Sequence, residues 1–149
     1  MLNHELFMQE AIAEAKLAQA HGEVPVGAVL VKNGQIIARS GNTREKDTDV
    51  LGHAEIKVIQ EGCKVLGGWR LTGCTLYVTL EPCPMCAGAI INARIERVVY
   101  GAADPAAGCA GSKINLFALD FNHTPLIRAG VLEEECKALL KDFFAQKRD

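Results

Sequence analysis

Val78-Thr79-Leu80-Glu81-Pro82-Cys83-Pro84-Met85-Cys86-Ala87-Gly88-Ala89-Ile90 is the stretch around which the chain reads. Residues 76–80 are apolar and β-branched, as a buried strand requires. Pro84 suits a first helical turn, where its preset φ helps and its missing N–H has no intrahelical partner to lose. The stretch is therefore a strand running into a helix, with Cys83 and Cys86 in the first turn. Exposed N–H groups and the positive end of the helix dipole favour thiolates there. Two thiolates three residues apart can share one soft metal ion. The same Cys-x-x-Cys after a strand also describes a thioredoxin-like redox pair.

A second stretch separates these readings. His53-Ala54-Glu55 opens another apolar helical pattern, over residues 53–66, that ends at Gly67-Gly68. One imidazole and two thiolates suit zinc, and three protein ligands leave a fourth tetrahedral position for water, as in catalytic sites. Positions i and i+2 of a helix point apart, so Glu55 is expected to reach that water rather than the metal. A redox pair would leave His53 and Glu55 idle. A structural zinc site would need a fourth ligand, and Cys63, Cys74, Cys109 and Cys136 form no second pair. These four read as small apolar residues. Taken singly, His53 is as readily a helix cap and Glu55 a solvated acid.

Outward from these motifs, residues 6–20 are expected to form a first helix, with Leu6, Ile12, Ala13, Ala15 and Leu17 on its apolar side and Gly22 as its stop. Strands follow at 25–32 and 35–40, joined by the two-residue turn Asn33-Gly34. Gly27 marks a close approach inside the first strand. A polar loop, 41–52, leads into His53. Trp69 and Leu71 are expected to pack under the next turn. Further strands are expected at 74–80, 97–100 and 124–128. The Cys helix runs to about residue 93. A short helix is expected at 114–119, and a closing amphipathic helix at 131–146 carries Leu132, Cys136, Leu139, Leu140 and Phe143 on one side. Strand and helix alternate, which predicts one α/β layered domain spanning 1–149 with helices on both faces of a mixed sheet.

The chain has 149 residues, net charge −2, 49% apolar and 23% charged residues. That balance lacks the basic surplus of many nucleic-acid binders and, by itself, favours a small-molecule enzyme. No apolar run approaches the ~18–20 residues of a membrane span. The start, Met1-Leu2-Asn3-His4-Glu5, lacks a basic region followed by an apolar one, so the cytoplasm and reduced cysteines are expected.

His-x-Glu with Pro-Cys-x-x-Cys is the signature of zinc-dependent nucleobase deaminases. The resemblance extends through residues 22–29, Gly41-Asn42, residues 75–90, Arg94-Ile95, residues 98–101, Gly111-Ser112, Asn115-Leu116, Phe121-Asn122-His123 and residues 139–144. Nearly the whole chain thus resembles the bacterial tRNA-specific adenosine deaminases of the cytidine deaminase superfamily. That resemblance implies a three-layer α/β/α fold around a five-stranded sheet, one zinc ion per subunit, and a homodimer. It implies hydrolytic conversion of adenosine to inosine at the wobble position of a tRNA anticodon. His53, Cys83 and Cys86 would hold the metal, and Glu55 would shuttle protons. Asn42 and the Ala54 backbone would contact the target nucleotide, and Asp104, Asn122 and Phe144 would face the anticodon arm. Each has a plain alternative: a turn for Asn42, a cap for Asp104, the core for Phe144. The zinc motif is shared with deaminases of free bases such as guanine or cytosine, which are the competing reading.

Overall fold

The computed structural model describes residues 3–147; Met1, Leu2, Arg148 and Asp149 lie outside the described residues. Elements follow in the order α1 (His4–Ala20), β1 (Gly27–Lys32), β2 (Gln35–Gly41), α2 (Ala54–Leu66), β3 (Cys74–Leu80), α3 (Pro84–Ala93), β4 (Arg97–Ala102), β5 (Leu126–Arg128) and α4 (Glu133–Lys147). A 3₁₀ turn at Leu116–Ala118 occupies the expected short helix. The sheet order is β2-β1-β3-β4-β5. β1 runs antiparallel to β2 and β3, while β3, β4 and β5 are parallel. This is the expected mixed five-stranded sheet.

Period-two alternation divides the strands between two cores. Ala28, Leu30, Leu76, Val78, Val98 and Tyr100 pack with α2 and α3. Val29, Val31, Tyr77 and Val99 pack on the other face with Phe7, Met8, Ala11 and Ile12 of α1 and Cys136 of α4. Burial on both faces explains why β1, β3 and β4 read as nearly unbroken apolar runs. β5 is a three-residue exposed edge.

Several local expectations are corrected. α1 begins earlier than expected because Asn3 caps it, its side chain accepting the Leu6 N–H at 3.1 Å. Its buried stripe is Phe7, Met8, Ala11, Ile12, Ala15 and Ala18. Leu6 and Leu17 are exposed, at 51% and 58%. The small residues face the sheet because backbone meets backbone there: a Cβ on Gly27 would collide with the Ala11 carbonyl and the Ala15 amide. β1 therefore starts at Gly27 rather than residue 25, and the Gly27 N–H donates to Thr79 Oγ1 at 3.1 Å. Asn33 and Gly34 both have positive φ, as the hairpin turn requires. Leu71 is buried as expected, but Trp69 lies outside, under the guanidinium of Arg70 at 4.2 Å. Val65 is exposed at the far end of α2. β4 continues to Ala102, and β5 starts at Leu126. α4 starts at Glu133, and of its expected apolar side only Cys136 and Phe143 are fully buried.

Gly27→Ala is expected to destabilise the protein by about 2–3 kcal/mol, since an added methyl must push α1 off the sheet. Urea unfolding reads this as a lower midpoint at unchanged slope.

Candidate active site

Two helix starts meet at the carboxyl end of β3, where open α/β sheets place their ligands. Cys83 is the N-cap of α3 rather than a first-turn residue, with extended backbone (φ −79°, ψ 176°), and Pro84 follows it. Its carbonyl accepts the Ala87 N–H at 2.8 Å while its thiol makes no capping bond. His53 is the N-cap of α2, also extended (φ −85°, ψ 145°) and without a side-chain cap bond. Both side chains are thus released from their own helices and turned toward each other.

His53 Nδ1 lies 3.6 Å from Cys83 Sγ and 3.5 Å from Cys86 Sγ. The three candidate ligand atoms all fall within 4.8 Å of one another. Zinc bonds of about 2.0 Å to nitrogen and 2.3 Å to sulfur, at a tetrahedral angle, separate such atoms by about 3.6 Å. The group can therefore hold a metal ion, and its spacing and soft donors fit zinc. Competition for protons within it is strong. The Cys83 thiol is lowered to about 4, first by its hydrogen bond with Cys86 and further by His53. Cys86 is raised by the same bond and by burial. His53 is raised, chiefly by its bond to Cys83.

Glu55, the second residue of α2, is buried beside this group, and burial pushes its carboxyl up to about 7. It lines a cavity of about 180 Å³ with His53, Cys83, Asn42, Asp104 and Ala107. The size suits one planar base, and a carboxyl titrating near neutrality can both take and give a proton.

Two loops enclose this cavity. On one side, Asn42 Oδ1 accepts the Ala54 N–H at 2.9 Å, so the two expected nucleotide contacts are bonded to each other and the Asn42 amide NH₂ remains to donate. On the other side, Asp104 lines the cavity, but its Oδ1 also caps a turn, accepting from Ala106 at 3.1 Å and Ala107 at 3.3 Å. Phe144 is 46% exposed rather than core. It lines a second groove, of about 510 Å³, with Lys147, Arg44 and Asn42. The groove and the cavity share Val24, Asn42 and Arg44, so they adjoin. Asn122 is exposed and lines neither.

Two buried acids beside the cavity do not stand out in the sequence. Glu23, 2% exposed, accepts the N–H groups of Glu45 at 3.1 Å and Lys46 at 2.7 Å, anchoring the loop that carries Arg44. Glu81, equally buried, anchors residues 104–112. The available signal was an acid set among apolar residues and prolines, in Glu23-Val24-Pro25 and Leu80-Glu81-Pro82. Such acids are buried only when their oxygens are satisfied.

The thiol pattern is testable. In chelator-treated protein, iodoacetamide at pH 6 is expected to alkylate Cys83, which is half-buried and ionised well below that pH. Buried Cys74, Cys109 and Cys136 should stay unmodified. Peptide mapping by mass spectrometry checks this, and added zinc should protect Cys83.

Comparison with known proteins supports the same chemistry. The chain matches the MafB19-like deaminase family over residues 2–148. It is 57% identical over 149 residues to a tRNA-specific adenosine deaminase of Bacillus subtilis, spanning 99% of this chain and 92% of that protein. A solved structure from a study of A-to-I editing by tRNA:A34 deaminases at the wobble position superimposes with TM-score 0.88 at 48% identity, covering 91% of this chain and 99% of the other. A guanine deaminase from Bacillus subtilis is more distant, with TM-score 0.67 at 36% identity over 99% of this chain and 96% of that one. On this evidence the chain belongs to the MafB19-like deaminase family, beside the tRNA-specific adenosine deaminases.

Proposed function

We propose that this protein is a zinc-dependent hydrolase that converts adenosine to inosine at the wobble position of a tRNA anticodon. The observation that carries the reading is the convergence of His53, Cys83 and Cys86 on Glu55 in a base-sized cavity. The likeness to a tRNA-specific adenosine deaminase over nearly the full length of both chains supplies the substrate.

His53, Cys83 and Cys86 hold one zinc ion per subunit. Zinc held there supplies the Lewis acidity that makes water a nucleophile near neutral pH. The rest is done by the chain. Glu55 takes a proton from the attacking water and delivers it to N1 of the flipped-out adenine. The hydroxide so formed adds at C6; Glu55 then takes the proton of the new C6 hydroxyl and passes it to the amino group, so that the C6–N bond breaks, ammonia leaves and the C6 carbonyl of inosine forms. Water and adenosine are thereby converted to inosine and ammonia. Burial pushes the Glu55 carboxyl up to about 7, where it can both take and give a proton. Asn42, its oxygen engaged by the Ala54 N–H, donates its amide NH₂ to the target nucleotide, with the Ala54 backbone alongside the base. Asp104, whose carboxylate is engaged in its own turn, shapes the cavity.

The neighbouring nucleotides would follow the groove past Arg44 toward Phe144 and Lys147. A charged side chain with an exposed aromatic suits an unstacked RNA loop. Asn122 would contact the anticodon arm from outside the cavity. Ile114, Leu119 and Phe121 are exposed apolar residues in one short stretch of chain, and they support a homodimer. Among the described residues no helix is long and apolar enough to cross a membrane. We place the single domain in the cytoplasm, where its substrate is processed.

Inosine formation in an anticodon hairpin, compared with the same hairpin carrying the adenosine one nucleotide away, tests the reading. Product only from the first is expected. Deamination of free guanine or cytosine by zinc-loaded protein that leaves both hairpins untouched would overturn it in favour of a free-base deaminase. Glu55→Ala should keep zinc but lose roughly 10²–10⁴-fold in turnover. Cys86→Ser should lose the metal itself, as read by elemental analysis.

A further inference from the structure

The buried Glu81 carboxylate stands outside the proton chemistry, yet it is the most heavily bonded side chain near the cavity. It accepts the N–H groups of Asp104 at 3.0 Å, Ala110 at 2.8 Å and Ser112 at 3.1 Å, together with the Ser112 hydroxyl. The main chain beside it is joined to the same loop: Glu81 N–H donates to the Ala102 carbonyl at 2.9 Å, and Cys109 N–H to the Pro82 carbonyl at 2.8 Å. Gly108 leaves room for the carboxylate, for a Cβ there would collide with it. Four donors meet one acceptor-only group, a demand that a glutamine amide, half donor, does not meet.

We propose that Glu81 is a positioning residue for the deamination, tying the loop of Asp104 and Ala107 to the strand end that delivers Cys83. One short segment, residues 81–83, then sets both the metal ligand and the opposite side of the base cavity. Cys109 and Ala110 pack the far part of this loop on the core, and the Glu81 carboxylate ties the amides on either side of them, from Asp104 to Ser112, so that the wall of the base cavity is ordered before substrate arrives. A wall left loose must be ordered when the base binds, which weakens ground state and transition state alike and is read as KM rather than kcat. This inference rests on the deaminase reading above.

Three variants test it. Glu81→Gln removes an acceptor, Gly108→Ala displaces the intact carboxylate, and Ser112→Ala removes one of its donors. For the first two we expect stoichiometric zinc and an unshifted circular dichroism spectrum. KM for the anticodon hairpin should rise roughly tenfold or more, with kcat changed less than about threefold. Ser112→Ala should move KM in the same direction by less. The Glu81→Gln/Gly108→Ala double variant should be no worse than the poorer single, because both act on one tether. Amide hydrogen exchange at Asp104, Ala110 and Ser112 should accelerate in both singles while α2 and α3 stay protected. Losses that multiply in the double variant, loss of zinc in either single, or an unchanged KM would overturn the proposal. Unchanged loop exchange would do so whether or not the hairpin is a substrate. A parent protein that makes no inosine while loop exchange responds as described would instead sink the substrate reading and leave the tether standing.

Discussion

Three candidate ligand atoms within 4.8 Å of one another, drawn from positions 30 residues apart in the chain, set the constraint on which this structure depends. Two soft, ionisable sulfurs and an imidazole cannot be gathered by local structure. They meet because α2 and α3 begin side by side at the end of β3, and each helix begins there because its sheet face is apolar. Both ligand-bearing starts use the same device. The N-cap residue is extended, so its side chain escapes the helix, while the next turn is already committed to helical bonds. Two helix N-termini then add their partial positive charge where thiolate is needed.

The same geometry separates Glu55 from His53. As the second residue of the helix, Glu55 cannot follow His53 outward and is held in the buried lining of the cavity. Burial does the electrostatic work, raising a carboxyl that would otherwise be fully ionised at neutral pH. Two acids of one type take opposite roles by environment alone. For Glu55 burial outweighs the hydrogen bonds it accepts, and its carboxyl is pushed up to about 7. Glu81 meets burial with the Ser112 hydroxyl and three backbone amides, and is held below the ordinary carboxylate range.

An overall charge of −2 is a poor advertisement for an RNA-acting protein. The arrangement around the cavity resolves this. Affinity for a polyanion depends on local cations rather than the total. Arg44 stands at the junction of the base cavity and the groove that ends at Phe144 and Lys147. Other charges are spent elsewhere: Arg39 on Glu10 and Glu14 of α1, and Lys57 on Asp47. On the proposed reading a near-neutral exterior suffices, because an extruded base would be recognised by fit and hydrogen bonding inside the small cavity.

What the sequence determined by itself was whatever is local or periodic. The alternation of apolar runs and helical patterns specified the layered α/β fold. Asn33-Gly34 specified its hairpin, Gly67 specified the end of α2, and the spacing of His53, Glu55, Cys83 and Cys86 specified a metal chemistry. Tertiary structure decided what depends on contacts between distant segments. The stripe of α1 turned to its alanines because Gly27 brings the β1 backbone against it, leaving Leu6 and Leu17 outside. Trp69 lost its expected place under the next turn to stack with arginine, and Phe144 lines a groove instead of taking its plain alternative, the core. Glu23 and Glu81 look like surface acids in one dimension. Only a folded chain carries the amides of residues 45–46 and 104–112 to their oxygens, and burial without those partners would be prohibitive.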